Sequence, residues 1–365
     1  MSQQDPSGDL NFSPNVKPKF DIVHIATRVL VVVLVLESLI VIWQFARNVL
    51  GKPPTVDVQT LHLAGQLLIT LGNEGVAEMD MPSGRIKTLF DPPPLGQVNS
   101  AALSPDGSTI VLAYAAPAGA IQLGFTDLYR MPADGSRNPV LLLAAGDGNL
   151  LYNPAWSPDG RTLYYSRIQS GAFGTSVMDV MQMSYPFGEP QALQSNAHAP
   201  DVSNDGTQIT LVTFDVFTSN ENLSIVDLKS GNVTPVLNAS KFTTIDNPRF
   251  SHDGKLLIFS SPTYKSASLS QPEADSLSET FDTFLGIHTA LAHSVPSFLW
   301  IVTASGGEPK RLTRINEYGI TADFSPDDQH IAFASSNGIY VMNTDGSDLV
   351  RISTQINGKS LQWIP

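Results

Sequence analysis

Carboxylates and hydroxyls recur together in this 365-residue chain, at a spacing that could bind a cation or activate a nucleophile. Asp106, Asp159, Asp205, Asp253 and Asp327 each follow a serine by two positions: Ser104, Ser157, Ser203, Ser251 and Ser325. Calcium binding and hydroxyl-based catalysis both use such groups, but the regularity argues for a structural role. An Asp placed in a tight turn accepts hydrogen bonds from nearby backbone N–H groups and tolerates unusual dihedrals. A serine that opens every such turn is too regular to be a nucleophile. The seven histidines, His24, His62, His198, His252, His288, His293 and His330, are scattered. None sits in a His-x-x-x-His pair around a glutamate, and His288 and His293, five apart, do not share a helix face. No metal site and no cofactor are predicted. His252 occupies a turn position held by Pro in other copies and is read as a structural variant. The chain has no cysteine, which excludes disulfides and thiolate chemistry.

The Ser-x-Asp turns belong to a repeat. A hydrophobic residue, Ser, any residue, Asp and a turn residue precede an alternating strand at each of the five positions above. A second turn occurs six times: Met81-Pro82-Ser83-Gly84, Ala133-Asp134-Gly135, Pro186-Phe187-Gly188, Lys229-Ser230-Gly231, Ala304-Ser305-Gly306 and Thr344-Asp345-Gly346. The sixth copy of the first turn is split between the chain ends. The segment at 361–365, centred on Trp363, matches the strand before that turn, and the segment at 64–69, with Leu67, matches the strand after it.

In the third repeat, Pro154-Ala155-Trp156 forms an inner strand and residues 162–166 a second; residues 177–183 and 191–193 follow as third and outer strands. Period-two patterning with β-branched and aromatic residues supports strands. The serines fall at intervals of 53, 46, 48 and 74, and the first three suit four-stranded blades of about 40–45 residues with modest loops. The predicted fold is all-β: a six-bladed β-propeller over 61–365, closed by pairing of its terminal strands, so that no long edge remains open.

Inner strands of a propeller line its channel. The residues before the bulky position of each are Ala102, Ala155, Asp201, Arg249, Asp323 and Gln362. Asp201, Arg249 and Asp323 thus place charge near the channel mouth, with Gln362 beside them, where a ligand or partner peptide could bind; mutual neutralisation of Arg249 by the two aspartates is the alternative. The long interval in the fifth repeat marks an insertion at about 262–297. Ser276-Leu277-Ser278-Glu279 is a capping box, and Leu277, Phe281, Phe284, Leu285 and Leu291 fall on one face of a predicted helix at 275–292. That stripe either lies on its own blade or faces a partner protein or membrane surface.

The Ser-Pro-Asp-Gly turn followed by an alternating strand and an Asp-Gly or Ser-Gly hairpin resembles the WD-like repeats of TolB-type six-bladed propellers, over about residues 60–365. The resemblance implies the fold; propellers of this type serve many roles. It does not carry over a TolB role, because a membrane helix here replaces the small α/β domain that precedes the TolB propeller. Similar propellers cap peptidases of the prolyl oligopeptidase type, but no Gly-x-Ser-x-Gly elbow is present in this sequence.

Ahead of the propeller, a polar tail at 1–21 leads into an apolar stretch at 22–50, whose core from Ile25 to Phe45 matches a hydrocarbon thickness of about 30 Å as a helix. It exceeds a signal-peptide core and lacks a small-x-small cleavage site, so it is predicted to be a single uncleaved transmembrane α-helix, joined by a short stiff linker at 51–60. Lys17, Lys19 and Arg28 precede the span, against Arg47 and Lys52 after it. This bias favours a cytoplasmic N-terminus and an extracytoplasmic propeller. Glu37 lies near mid-span, where it either snorkels or stays protonated on a lone helix, or meets a polar partner on another membrane protein.

The net charge of −13 belongs to the region after the span and disfavours nucleic acid as a partner. Together these features predict a non-catalytic propeller of a bacterial envelope that binds or scaffolds other membrane or envelope proteins, as an accessory subunit of a membrane complex. The alternatives are a propeller hydrolase or lyase with its site in the channel, and a ligand-binding receptor.

Overall fold

The computed structural model describes residues 53–117, 125–146, 149–170, 176–214, 221–237, 242, 244–262, 297–315, 317–354 and 358–365. The predicted span at 22–50 with Glu37, and the predicted helix at 275–292 with Leu277, Phe281, Phe284, Leu285 and Leu291, lie outside these residues. Among the described residues no helix is long and apolar enough to cross a membrane.

Strands β1 to β24, numbered along the chain, hydrogen-bond into six antiparallel sheets of four. Five sheets use consecutive strands. Their inner strands are β4 (Gln97–Leu103), β8 (Asn149–Trp156), β12 (Ala197–Val202), β16 (Asp246–Phe250) and β20 (Thr321–Phe324). The remaining sheet, blade 1, joins the two ends of the fold: β24 (Ser360–Ile364) pairs with β1 (Gln66–Thr70), which is followed by β2 (Val76–Asp80) and β3 (Ile86–Phe90). Leu67 opposes Trp363 and Leu68 opposes Gln362. Each inner strand packs beside the next, and β24 packs beside β4, so the predicted closure and blade count are both observed. Gly65 permits that closure: its φ is 85°, and a Cβ there would fall 2.3 Å from the Ile364 carbonyl oxygen.

The strands are apolar on both faces because both faces are buried. In β5 (Thr109–Ala115), Ile110, Leu112 and Tyr114 pack with Leu68, Val76 and Phe90 of blade 1. Val111 and Ala113, pointing the other way, pack with Trp156, Tyr165 and Met183 of blade 3. Similar clusters fill the other four interfaces, including the one between blades 6 and 1, where Ala332 and Val341 meet Leu67 and Trp363. Burying one large side chain of this kind contributes roughly 1.5–3 kcal/mol. The core is therefore six layers between blades, each needing both neighbours.

The five Ser-x-Asp turns share one hydrogen-bond pattern. The serine Oγ donates to the aspartate Oδ1 at 2.6–2.8 Å. The same Oδ1 accepts the backbone N–H two residues on. The serine Oγ in turn accepts the N–H five residues beyond it. The structural reading of these ten residues therefore holds.

Three copies depart from the Ser-Pro-Asp-Gly sequence, with Asn204, His252 and Asp328, and the last two departures meet. In regular neighbours the Pro of one turn packs near the Gly of the next, as Pro158 does at Gly206 and Pro105 at Gly160. Between blades 5 and 6, His252 replaces the Pro and Asp328 replaces the Gly. The His252 N–H, which proline lacks, donates to Asp328 Oδ1 at 2.8 Å, and the His252 ring Nδ1 lies 3.0 Å from the same oxygen. Asp328 Oδ2 accepts the Asp253 N–H at 2.9 Å. Asp328 keeps the left-handed backbone (φ 58°) for which glycine is usually chosen.

The predicted linker differs from what is found in its described part. Residues 53–60 pack on the propeller instead of spanning free space. Val56 N–H donates to the Arg351 carbonyl, Arg351 N–H donates to the Pro54 carbonyl, and Val58 is buried in the cluster between blades 6 and 1. The apolar spacing of Val56, Val58 and Leu61 was the available signal.

Two outcomes follow from these contacts. Asp328→Gly and His252→Pro, each alone, lower stability, whereas the double substitution restores the regular turn pair. Urea unfolding of all four forms should give a coupling of about 1 kcal/mol or more, and additive losses would show that the pair does not interact. Acid acts through the turn aspartates. The serine hydroxyl holds Asp106, Asp159, Asp205 and Asp327 below the ordinary carboxyl range, and the Lys255 ammonium, with backbone N–H and Ser251 hydroxyl, holds Asp253 at about 2. The folded chain prefers the ionised form, so this stabilisation is complete above the ordinary carboxyl value and is lost as pH falls through the folded one. The Tm should fall between about pH 4 and pH 2, and fall less when Asp106, Asp159 and Asp205 are all replaced by Asn.

Candidate functional site

Four of the six inner-strand positions carry polar side chains, and the structure brings them together. Asp201 Oδ2 accepts the Phe250 N–H of the next blade at 2.9 Å. Asp323 Oδ2 accepts the Trp363 N–H at 2.9 Å, and Gln362 Oε1 accepts the Leu103 N–H at 2.9 Å. One geometry thus repeats: an acceptor on one inner strand binds the N–H of the following residue position on the next. Arginine has no acceptor, so Arg249 breaks the series. Its Nη1 turns back to Asp201 Oδ1 at 2.9 Å, and Asp323 Oδ1 accepts the Phe324 N–H at 3.0 Å, the group that an acceptor at position 249 would have taken.

The electrostatics agree with this arrangement. Burial works against the Arg249 charge, but Asp201 and Asp323 outweigh it and keep the guanidinium firmly protonated. Burial pushes the Asp323 carboxyl up, Arg249 pulls it down, and Asp201 adds to the rise. Arg249 is therefore paired with Asp201, while Asp323 binds backbone N–H groups on its own inner strand and on the next.

A second set of residues lies earlier on the same strands, and sequence reasoning missed it. A cavity of about 440 Å³ gathers the first residues of β4, β8, β12 and β16. Bulges interrupt these four strands there, and Asn153, Ala199 and Asn247 adopt left-handed backbone (φ 50°, 53° and 49°). Asn153 and Asn247 each stand two residues before an inner-strand position, Ala155 and Arg249, and asparagine is a residue that tolerates this conformation. That offset was the legible signal.

One wall of the cavity is apolar, formed by Leu150, Ile168 and Met178 with the Tyr152 ring. The other carries His198, Glu221 and Asp246. His198 Nε2 lies 3.8 Å from Glu221 Oε1, and Glu221 Oε2 accepts the Ile245 N–H at 2.5 Å. Asp246 opens to water inside the cavity while protein surrounds it; desolvation pushes its carboxyl up, His198 opposes the rise and Glu221 adds to it. Among the described residues, no group of three His, Cys, Asp or Glu side chains has the geometry to hold a metal ion. Ser260 pairs with Asp246, and the neighbouring Ser261 pairs with Phe298. The two ends of the insertion therefore emerge beside this cavity.

No protein-family model matches the sequence, and no curated protein matches it. Among solved structures, TolB from Acinetobacter baumannii is similar at 16% identity and a TM-score of 0.55, covering 86% of this chain and 68% of that one. A putative TolB from Agrobacterium tumefaciens is similar at 17% identity and a TM-score of 0.55, covering 82% and 99%. A nidogen/laminin complex contains a chain similar at 9% identity and a TM-score of 0.56, covering 81% and 97%. The fold is a TolB-like six-bladed β-propeller, as the repeats predict.

The axial charges give a direct test. Arg249→Met leaves Asp201 and Asp323 without the cation between them in strand order, at a cost of about 3 kcal/mol at neutral pH. Because the folded state then takes up protons more readily than the unfolded one, stability of this variant rises as pH is lowered from about 8 to about 5, more than that of the unaltered chain. Denaturant unfolding at the two pH values measures this. An equal loss at both would show that the aspartates do not sense Arg249.

Proposed function

We propose that this chain is a single-pass membrane protein that displays its propeller outside the cytoplasm and binds other envelope or membrane proteins there, as an accessory subunit of a membrane complex. The observation that carries the reading is the engagement of the axial charges. Asp201, Arg249, Asp323 and Gln362 are the inner-strand residues offered for channel chemistry, and each is committed to a neighbouring blade. An enzyme working through them would have to break the bonds that join its blades. A propeller used as a rigid binding platform keeps them.

Two further features support the reading. The apolar stretch from Ile25 to Phe45 has the length of a membrane span, with Glu37 placed to meet a polar group on a second helix. The insertion, with its predicted apolar stripe, leaves and rejoins blade 5 beside the cavity described above. A likeness to a chain in a nidogen/laminin complex fits a fold that serves protein recognition.

The chain should stay with membranes through an alkaline carbonate wash, and deletion of residues 22–50 should release it. Gentle detergent extraction of the intact protein should co-purify a defined partner, and deletion of residues 275–292 should weaken that capture while leaving the thermal unfolding curve nearly unchanged. Capture that survives the deletion would remove the insertion from the interface. A chain washed off the membrane would overturn the anchor.

A further inference from the structure

We propose that the cavity over blades 2 to 5 binds a primary ammonium group carried on an apolar stem. The site differs from the axial ring in its residues and its bonding. In the ring every carboxylate is held by an arginine or by backbone N–H groups. In the cavity, Asp246 has an acceptor-only side chain with no hydrogen-bond donor directed at it among the described residues. Glu221 uses one oxygen on the Ile245 N–H and turns the other toward the imidazole. No lysine or arginine lines the cavity among the described residues.

His198 adds an independent observation. The residue is only 8% exposed, it lines the cavity, and its ring makes no hydrogen bond among the described residues. The Glu221 oxygen at 3.8 Å is beyond hydrogen-bond reach. In its neutral form the imidazole offers one nitrogen as an acceptor. Two acceptors that share one ammonium nitrogen each lie about 2.8 Å from it, and His198 Nε2 and Glu221 Oε1, 3.8 Å apart, are within that reach. An ammonium has three N–H donors, and the cavity lining offers it one imidazole, on His198, and two carboxylates, on Glu221 and Asp246.

The opposite wall selects the rest of the ligand. Leu150, Ile168 and Met178 offer apolar contact, and Tyr152 adds its aromatic side chain to the lining. A volume of about 440 Å³ lies within the range for small-molecule sites. A free alkylamine and a lysine side chain of another protein offer the same chemistry.

The test uses the full-length chain in detergent, titrated calorimetrically at neutral pH with n-butylammonium chloride, butan-1-ol and butyrate. Butylammonium should bind about tenfold or more tightly than butanol, and butyrate should not bind. Asp246→Asn should weaken butylammonium binding about tenfold with an unchanged Tm, and the variant in the same detergent controls for micelle partition. Glu221→Gln, which keeps an oxygen for the Ile245 N–H, should weaken it similarly. A blocked Gly-Lys-Gly peptide and its Nε-acetylated form identify the source: tighter binding of the lysine peptide than of butylammonium assigns the cation to a partner protein, and weaker binding assigns it to a free amine. Equal affinity for butanol and butylammonium, or full affinity in a folded Asp246→Asn chain, would overturn the proposal.

Discussion

Antiparallel pairing of β24 with β1 constrains everything else in the propeller. Trp363 and Ala64, joined by the indole N–H at 2.9 Å, are 299 positions apart in sequence. The entropy lost on closing a loop grows only with the logarithm of its length, so so distant a contact is not much harder to form than one half as distant. What closure adds is large. It completes the interface where Leu67 and Trp363 meet Ala332 and Val341, and it removes two edge strands that would otherwise present unpaired N–H and C=O groups. Gly65 admits the Ile364 carbonyl at the crossing, and Thr70, fully buried, exchanges hydrogen bonds with Ser360.

A ring also dictates what can stand at its centre. Six inner strands converge there, and each leaves backbone N–H groups that must find partners away from bulk water. Asp201, Asp323 and Gln362 supply acceptors across three of the blade boundaries. Serines do comparable work one level earlier: Ser100 Oγ accepts the Asn153 N–H at 2.8 Å and Ser166 Oγ the Ala199 N–H at 2.9 Å. Polar residues near the axis are thus part of the fastening between blades, and a charged residue there is not by itself a sign of catalysis. The cavity acids differ because their oxygens are not all taken by the backbone.

The architecture was legible because the repeat is written in local chemistry. Each Ser-x-Asp turn is specified within six residues and marks the start of an apolar strand, so the blade count and the pairing of the Trp363 segment with the Leu67 segment could be inferred without knowing any long-range contact. The pairing of Arg249 with Asp201 was legible as one of two readings. The cavity was not, for a physical reason. Glu221 opens β14 (Glu221–Asp227), His198 lies on β12 and Asp246 begins β16. Their approach depends on bulges at Ala199 and Asn247 that rotate the start of each inner strand. A bulge shifts the alternation by one residue, which a period-two reading treats as noise. The docking of Val56 and Val58 was missed because two prolines at 53 and 54 suggested a stiff spacer.

The exceptions show which unit of the repeat is under constraint. If each blade were optimised alone, a histidine in place of proline at 252 and an aspartate in place of glycine at 328 would each be a defect. They fall on opposite sides of one interface and satisfy each other there. The same holds at the axis. Arg249 cannot accept the Phe324 N–H, and Asp323, across the same boundary, accepts it instead while Asp201 holds the guanidinium. Both compensations involve the junction of blades 5 and 6, next to the blade that carries the insertion. The interface, with its apolar layer and the polar contacts at its two ends, is therefore the element that must remain complementary, and the blades are free to differ so long as each boundary is solved jointly.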